Sequence, residues 1–157
     1  DCCGNTLFIE KEFKIALAGK ADSLSFVINE LLFNPYENGE DYLELYNRSN
    51  KVLDIKDYLV ANRDSENQIS SIKEIIEENF SFFPGEYLVL TTDATILQRD
   101  YYVPDPKRII EVSSLPTFGN EEGSAVLLNK QGKIIDQFQY NEDMHFQLLA
   151  SQSGISL

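Results

Sequence analysis

From Leu24 onward the chain is a series of short apolar runs that alternate with period two, each closed by turn residues: "SFVINELLF", "DYLELYN", "EYLVLTT", "SAVLLN" and "KIIDQFQY". Period two belongs to extended backbone, whose successive side chains point to opposite faces. Runs this short cannot bury themselves alone, so each must find hydrogen-bonding neighbours in a sheet. Many short strands at near-regular spacing predict an all-β fold, an antiparallel sandwich or barrel. The chain has 157 residues, 43% of them hydrophobic, which is enough for one full core and too little for two.

The first two runs illustrate the pattern. Leu24, Phe26, Ile28 and Leu32 point one way in a simple alternation, with Val27, Leu31 and Phe33 opposite. "NPYENGED" turns the chain at Pro35 and Gly39, and "DYLELYNR" returns with Leu43 and Leu45 on one face and Tyr42, Glu44 and Tyr46 on the other. The short connection predicts antiparallel neighbours. Farther on, Val52–Ile55 and Tyr58–Ala61 read as short strands, and Pro84-Gly85 as the turn that launches Tyr87–Leu90. Asp93 is placed to cap one short helix over "ATILQRDY". "RIIEVSS" is a further strand, Lys130, Gln131 and Gly132 join the last hairpin, and "GISL" begins another extended segment. "ISSIKEIIEEN" is ambiguous, since Ile69, Ile72, Ile75 and Ile76 fit a helical face while β-branched residues favour a strand.

Charge and composition exclude several function classes. A formal net charge of −13 opposes extended contact with a phosphate backbone, which rests on clustered Lys and Arg; local pairs such as Lys107 and Arg108 are too sparse, so no nucleic-acid partner is expected. No run approaches the roughly 18 apolar residues of a membrane span. Cys2 and Cys3 are adjacent, too strained for a mutual bridge, and stay free or pair outside this segment. A Gly-x-Ser-x-Gly elbow and a phosphate-cradling glycine loop are both lacking, so neither hydrolase nor nucleotide chemistry is expected.

Four sets of polar or aromatic residues are candidates for a site. Asn29, Glu30, Glu44 and Asn47 interrupt core-like strands. Glu30 and Glu44 on neighbouring strands could form an acid–base pair walled by Tyr42 and Tyr46; alternatively all four are hydrogen-bonded seams that satisfy backbone groups or face solvent. The second set, Glu37, Glu40 and Asp41 in the acidic turn, with Asn38, has the oxygen density of a Ca²⁺ site but not the spacing of an EF-hand. Glu142, Asp143 and His145 surround the only imidazole and could hold a metal, although a lone His beside Phe146 suits packing equally. Tyr36, Tyr101, Tyr102 and Phe118 fall in loops, where they are expected to be exposed partner contacts or loop packing.

Taken in order, "VINELLFNP", "DYLELYNRSNKVLDIKDYLVA", "FFPGEYLVLTT" and "GSAVLLNKQGKIIDQFQY" resemble the lamin tail domain, an immunoglobulin-like β-sandwich found in nuclear lamins and in bacterial secreted and cell-surface proteins. The resemblance runs from about residue 24 to 157. It implies an immunoglobulin-like antiparallel β-sandwich with one short helix over residues 23–157, and it makes "ISSIKEI" extended. Residues 1–22 would be a linker or the remnant of a preceding β domain, "DCCGN" being similar to the last strand of such a repeat. The four polar residues are then read as structural seams, with no catalytic residue and no required cofactor. The chain lacks the heptad rod and basic targeting cluster of nuclear lamins. That favours a non-catalytic structural or protein-interaction module of a larger secreted or surface-anchored bacterial protein, acting beside other domains of the same polypeptide. The other expectation is a calcium- or carbohydrate-binding adhesion domain.

Overall fold

The computed structural model describes residues 15–157; Cys2, Cys3 and most of the linker or β remnant expected over residues 1–22 lie outside the described residues. Two four-stranded sheets face each other across the core. The first contains β1 (Phe26–Leu32), β2 (Tyr42–Asn47), β7 (Tyr87–Thr91) and β8 (Ile109–Glu111), in that spatial order. The second runs β10 (Ile134–Asn141), β9 (Glu122–Asn129), β4 (Tyr58–Arg63), β5 (Ile69–Glu74). A two-stranded ribbon of β3 (Leu53–Asp54) and β6 (Ser81–Phe82) stands beside them. Among the described residues no helix is long and apolar enough to cross a membrane.

The core is supplied by the inward alternation of each strand. Leu43 and Leu45 of β2, Leu88 and Leu90 of β7, and Ala125 and Leu127 of β9 are fully buried against Phe26, Phe33 and Phe82. Each buried leucine contributes about 1.5–3 kcal/mol relative to an exposed one. Rings of Tyr58 and Phe82 meet that of Phe26 edge-on at 5.1 and 5.4 Å, the arrangement that aromatic quadrupoles favour.

Three departures from simple alternation have identifiable causes. In β1 the pairing with β2 slips between Ile28 and Glu30, leaving Asn29 as an extra residue. This β-bulge shifts the phase: Phe26 and Ile28 before it, and Leu31 and Phe33 after it, all meet the same core, while Leu32 joins a separate cluster outside the sheet with Tyr42 and Leu97. The uniform alternation expected for this run is therefore corrected. In β5, Ser71 takes the left-handed conformation at φ 48° while the pairing with β4 slips, so a strand is accommodated where the isoleucine spacing also allowed a helix. β7 and β8 are parallel, the exception in an otherwise antiparallel sandwich. Parallel neighbours need a crossover, and α1 (Ala94–Asp100) lies in it.

Local signals at the connections hold. The Asp93 carboxylate accepts hydrogen bonds from the Thr95 and Ile96 amides and starts α1. Pro84 and Gly85 (φ 77°) occupy the centre of a tight turn closed by the Glu86 amide on the Phe83 carbonyl at 3.2 Å, a geometry that requires positive φ at the second central residue. The "GISL" segment forms no strand, but Leu157 exchanges two backbone hydrogen bonds with Leu31, 2.8 and 2.9 Å, and so covers part of the β1 edge. Ile15 and Leu17 are exposed, whereas Gly19 bridges to β3 and the Ala21 amide donates to the Tyr58 hydroxyl at 2.9 Å.

Candidate functional site

After the β1 bulge, Glu30 and Leu32 share the outer face of the first sheet with Tyr42, Glu44 and Tyr46 of β2, and Glu30 stands opposite Glu44 in the register. α1 covers one end of this face through Leu97, against Leu32 and Tyr42. The other end, over Glu44, Tyr46, Tyr87 and Val89, stays open. The phenol rings of Tyr46 and Tyr87, directly paired across β2 and β7, stack at 4.6 Å.

The four polar residues occupy different environments. Asn47 is fully buried. Its amide donates to the carbonyls of Lys51 at 2.9 Å and Phe82 at 2.8 Å, and its side-chain oxygen accepts from the amide and hydroxyl of Ser49. One side chain thus ties the end of β2, the following turn and the β3–β6 ribbon together. Glu30 accepts from the hydroxyls of Tyr42 and Ser156. Burial, and next that bond to Glu30, push the Tyr42 phenol far above its ordinary value, so Tyr42 is a donor and not an anion. Asn29 projects from the bulge and donates to Glu44 Oε1 at 2.8 Å. Burial raises the Glu44 carboxyl above its ordinary value, Asn29 opposes that shift, and the charge of Glu30 adds to it. Two carboxylates do face one another, then, but Glu30 is held by two hydroxyls and Glu44 by the bulge amide.

The acidic turn does not converge. Glu37 is exposed, Glu40 accepts from the Thr92 hydroxyl, and Asp41 is partly buried at the mouth of a cleft of about 520 Å³ that also includes Ser113, Ser114 and Asn120. Burial first, and the neighbouring Glu40 second, raise the Asp41 carboxyl to about 6. Among the described residues no group of three or more His, Cys, Asp or Glu is placed to hold a metal ion. His145 is buried, not displayed to Glu142 and Asp143, which are exposed. Its Nε2–H donates to the Ile155 carbonyl at 2.8 Å, its ring packs on Phe33, and Nδ1 has no partner.

The loop aromatics divide, and one expectation is corrected. Phe118 is only 4% exposed and belongs to the main core; its loop folds back over the sandwich, so it is no surface contact. Tyr101 is half-buried against Tyr42 and donates to the Gly154 carbonyl at 3.1 Å. Tyr36 lies close over Gly154, its ring filling the place a Cβ would take, and the φ of 76° there also favours glycine. Tyr102, 91% exposed, is the one of the four fully open to solvent.

The feature that residue-by-residue reading missed is a groove of about 380 Å³ on the open end of the outer face. It is lined by Glu44, Tyr87 and Val89 from the strands, by Gly85 and Glu86 from the Pro-Gly turn, and by Val103, Pro104, Asp105 and Arg108 from the α1–β8 connection. The usable signal was parity: Glu44 and Tyr46 on β2, and Tyr87 and Val89 on β7, are the outward positions of two adjacent strands, and too apolar for a purely solvated face. A larger, polar hollow of about 570 Å³ opens at the end of the second sheet around Arg63, but that guanidinium is engaged by the Asn67 carbonyl and the Gln137 side chain.

The family comparison matches the Lamin Tail Domain over residues 20–142. A search of curated proteins finds no match. The matched span contains both sheets, the bulged first strand and the groove. With most of its length matched and the sandwich in place, the chain belongs to the lamin tail domain family, whose immunoglobulin-like fold is generally a non-catalytic interaction module.

Proposed function

We propose that this domain is a non-catalytic interaction module of a larger secreted or surface-anchored bacterial protein, working outside the cell beside other domains of its polypeptide. The observation that carries this reading is the state of Glu30 and Glu44. They are directly opposed, yet each already has hydrogen-bond partners, Glu30 in Tyr42 of the paired strand and Ser156 of the C-terminal segment, Glu44 in Asn29 of the bulge. An acid–base pair needs two members with reach to a reacting atom between or beside them; Glu30, held by two hydroxyls, is no free partner to Glu44, while the sheet face beside Glu44 stays open. The acidic surface, net charge −13, supports solubility and attraction to basic partners. Location outside the cell rests on the family's occurrence in secreted and surface proteins.

The test is a hydrolysis panel of ester, phosphoester and glycoside substrates on the purified chain. No turnover is expected. Turnover that Glu44→Gln abolishes would overturn the reading. Ca²⁺ is tested beside it: a ligand of the native state must raise the melting temperature, and no shift is expected in millimolar Ca²⁺ relative to EDTA. A shift of several degrees lost in Asp41→Asn would move the function to calcium-dependent adhesion.

A further inference from the structure

The groove over β2 and β7 is electrostatically unbalanced in a way that specifies an occupant. Three carboxylates, Glu44, Glu86 and Asp105, and one guanidinium, Arg108, line it. Arg108 is already paired with Glu86, with Asp105 at 3.9 Å. None of the ion pairs among the described residues involves Glu44; its one hydrogen-bond donor is the neutral amide of Asn29 at 2.8 Å. Burial raises the Glu44 carboxyl above its ordinary value, the Asn29 bond opposes this and the charge of Glu30 adds to it. A partly desolvated carboxylate without a counter-charge gains most from a cation that brings its own apolar stem.

The rest of the lining suits such a stem. Val89, Val103 and Pro104 offer aliphatic walls, and Tyr87, 47% exposed and backed by the stacked ring of Tyr46, offers an aromatic surface. About 380 Å³ lies near the lower end of ligand pockets, room for one extended side chain and not for a helix. Between the two biological cations, guanidinium is the more weakly hydrated and stacks on aromatic rings, so it loses less on entering and gains more from Tyr87.

We propose that this groove receives an arginine side chain of a partner protein, its guanidinium meeting Glu44 and its methylenes lying along Val89 and Pro104. The inference rests on the interaction-module reading and names the chemistry of the partner. A single arginine docked in this way binds weakly alone and gains affinity from the chain that carries it.

The experiment is an NMR titration of the ¹⁵N-labelled chain with N-acetyl-argininamide, and in parallel with its neutral isostere N-acetyl-citrullinamide and with N-acetyl-lysinamide. Expected are saturable, millimolar shifts concentrated at Glu44, Tyr46, Tyr87, Val89 and Asp105. Citrulline should bind about tenfold more weakly, since the charge provides the discrimination. Glu44→Gln should remove the preference for arginine over citrulline, and Tyr87→Ala should weaken arginine while sparing the folded spectrum. The proposal is overturned by equal binding of arginine and citrulline, by shifts centred on Glu40 and Asp41, or by no saturation for any of the three. Lysine binding tighter than arginine would overturn the choice of guanidinium. Such failures with a silent hydrolysis panel would leave the interaction module standing without this occupant, whereas turnover lost in Glu44→Gln would remove the module reading itself.

Discussion

At the scale of single residues, the buried polar groups do most to fix the conformation, and they behave differently from one another. Asn47 is saturated: two carbonyls accept from its amide and Ser49 donates to its oxygen. Asn47→Ala would take a donor from the Lys51 and Phe82 carbonyls and the acceptor from Ser49, and the expected loss is about 1–3 kcal/mol in urea denaturation, the range for leaving buried partners unmade. Asn47→Asp should be worse at neutral pH, because a carboxylate would then face the two carbonyl oxygens that now receive donors. Asp41 behaves in the opposite way. Burial and Glu40 raise its carboxyl from 3.8 to about 6, so the folded state binds a proton more tightly than the unfolded chain does. Where the native state holds more protons, stability falls as pH rises; for Asp41 that decline lies between about pH 4 and about pH 6. Removing the charge should relieve it. Asp41→Asn is expected to be more stable than the parent by about 1 kcal/mol at pH 7.5, a value discounted because Asp41 is partly open to solvent. The two proteins should converge as pH approaches about 4, and melts across that interval check both the sign and the window.

At the scale of elements, the strands were legible in the sequence wherever local chemistry and tertiary demand agree. The Asp93 cap, the Pro84-Gly85 turn and the hairpin through Gly132 each carry a local signal sufficient by itself. The phase of β1 was not legible, because alternation alone cannot announce an inserted residue: "FVINELL" reads as one continuous strand until pairing with β2 reveals Asn29 as the extra one. Parallel pairing of β8 with β7, and the burial of Phe118, likewise depend on where distant segments come to lie. The groove escaped for the same reason, since Glu44 contributes from β2 and Pro104 from a connection sixty positions later. β5 shows local preference overruled. Ser71 sits at φ 48° within a bulged pairing, a conformation that glycine reaches without the strain a Cβ brings. Ser71→Gly is therefore expected to stabilise the protein by about 0.5–1 kcal/mol, against the usual penalty for glycine in a strand. A loss of stability in chemical denaturation would show that the Ser71 side chain outweighs the backbone strain.

At the scale of the whole molecule, the last residues act as a clasp across the β1 edge and the loop beyond it. Leu157 exchanges hydrogen bonds with Leu31, Ser156 donates to Glu30, the Gly154 amide donates to the Asn34 carbonyl at 2.7 Å, and the Ser153 hydroxyl donates to the Pro35 carbonyl at 2.9 Å. From the body of the domain, His145 holds the Ile155 carbonyl and Tyr101 holds that of Gly154. The segment that makes these contacts, residues 153–157, lies beyond residue 142, where the family match ends. An uncovered edge strand offers unpaired amides and carbonyls to any other strand. Deleting residues 153–157 should free the Leu31 amide and carbonyl, leave Glu30 with Tyr42 as its one remaining hydroxyl donor, and strip the acceptor from buried His145. Two consequences are separable. The melting temperature should fall by several degrees, because an interior imidazole and a strand edge lose their partners together. The truncated protein should also begin to self-associate through β1, visible in sedimentation as a concentration-dependent dimer that the full chain does not form. Leu31→Pro in the truncated background removes the amide needed for edge pairing and should return it to a monomer, if at further cost in stability. Dimerisation that survives Leu31→Pro would place the sticky surface elsewhere, the open Tyr46–Tyr87 face being next to examine. A truncated chain as stable as the parent would show that the clasp is an adornment and that the sheet edge is guarded by its bulge at Asn29 alone.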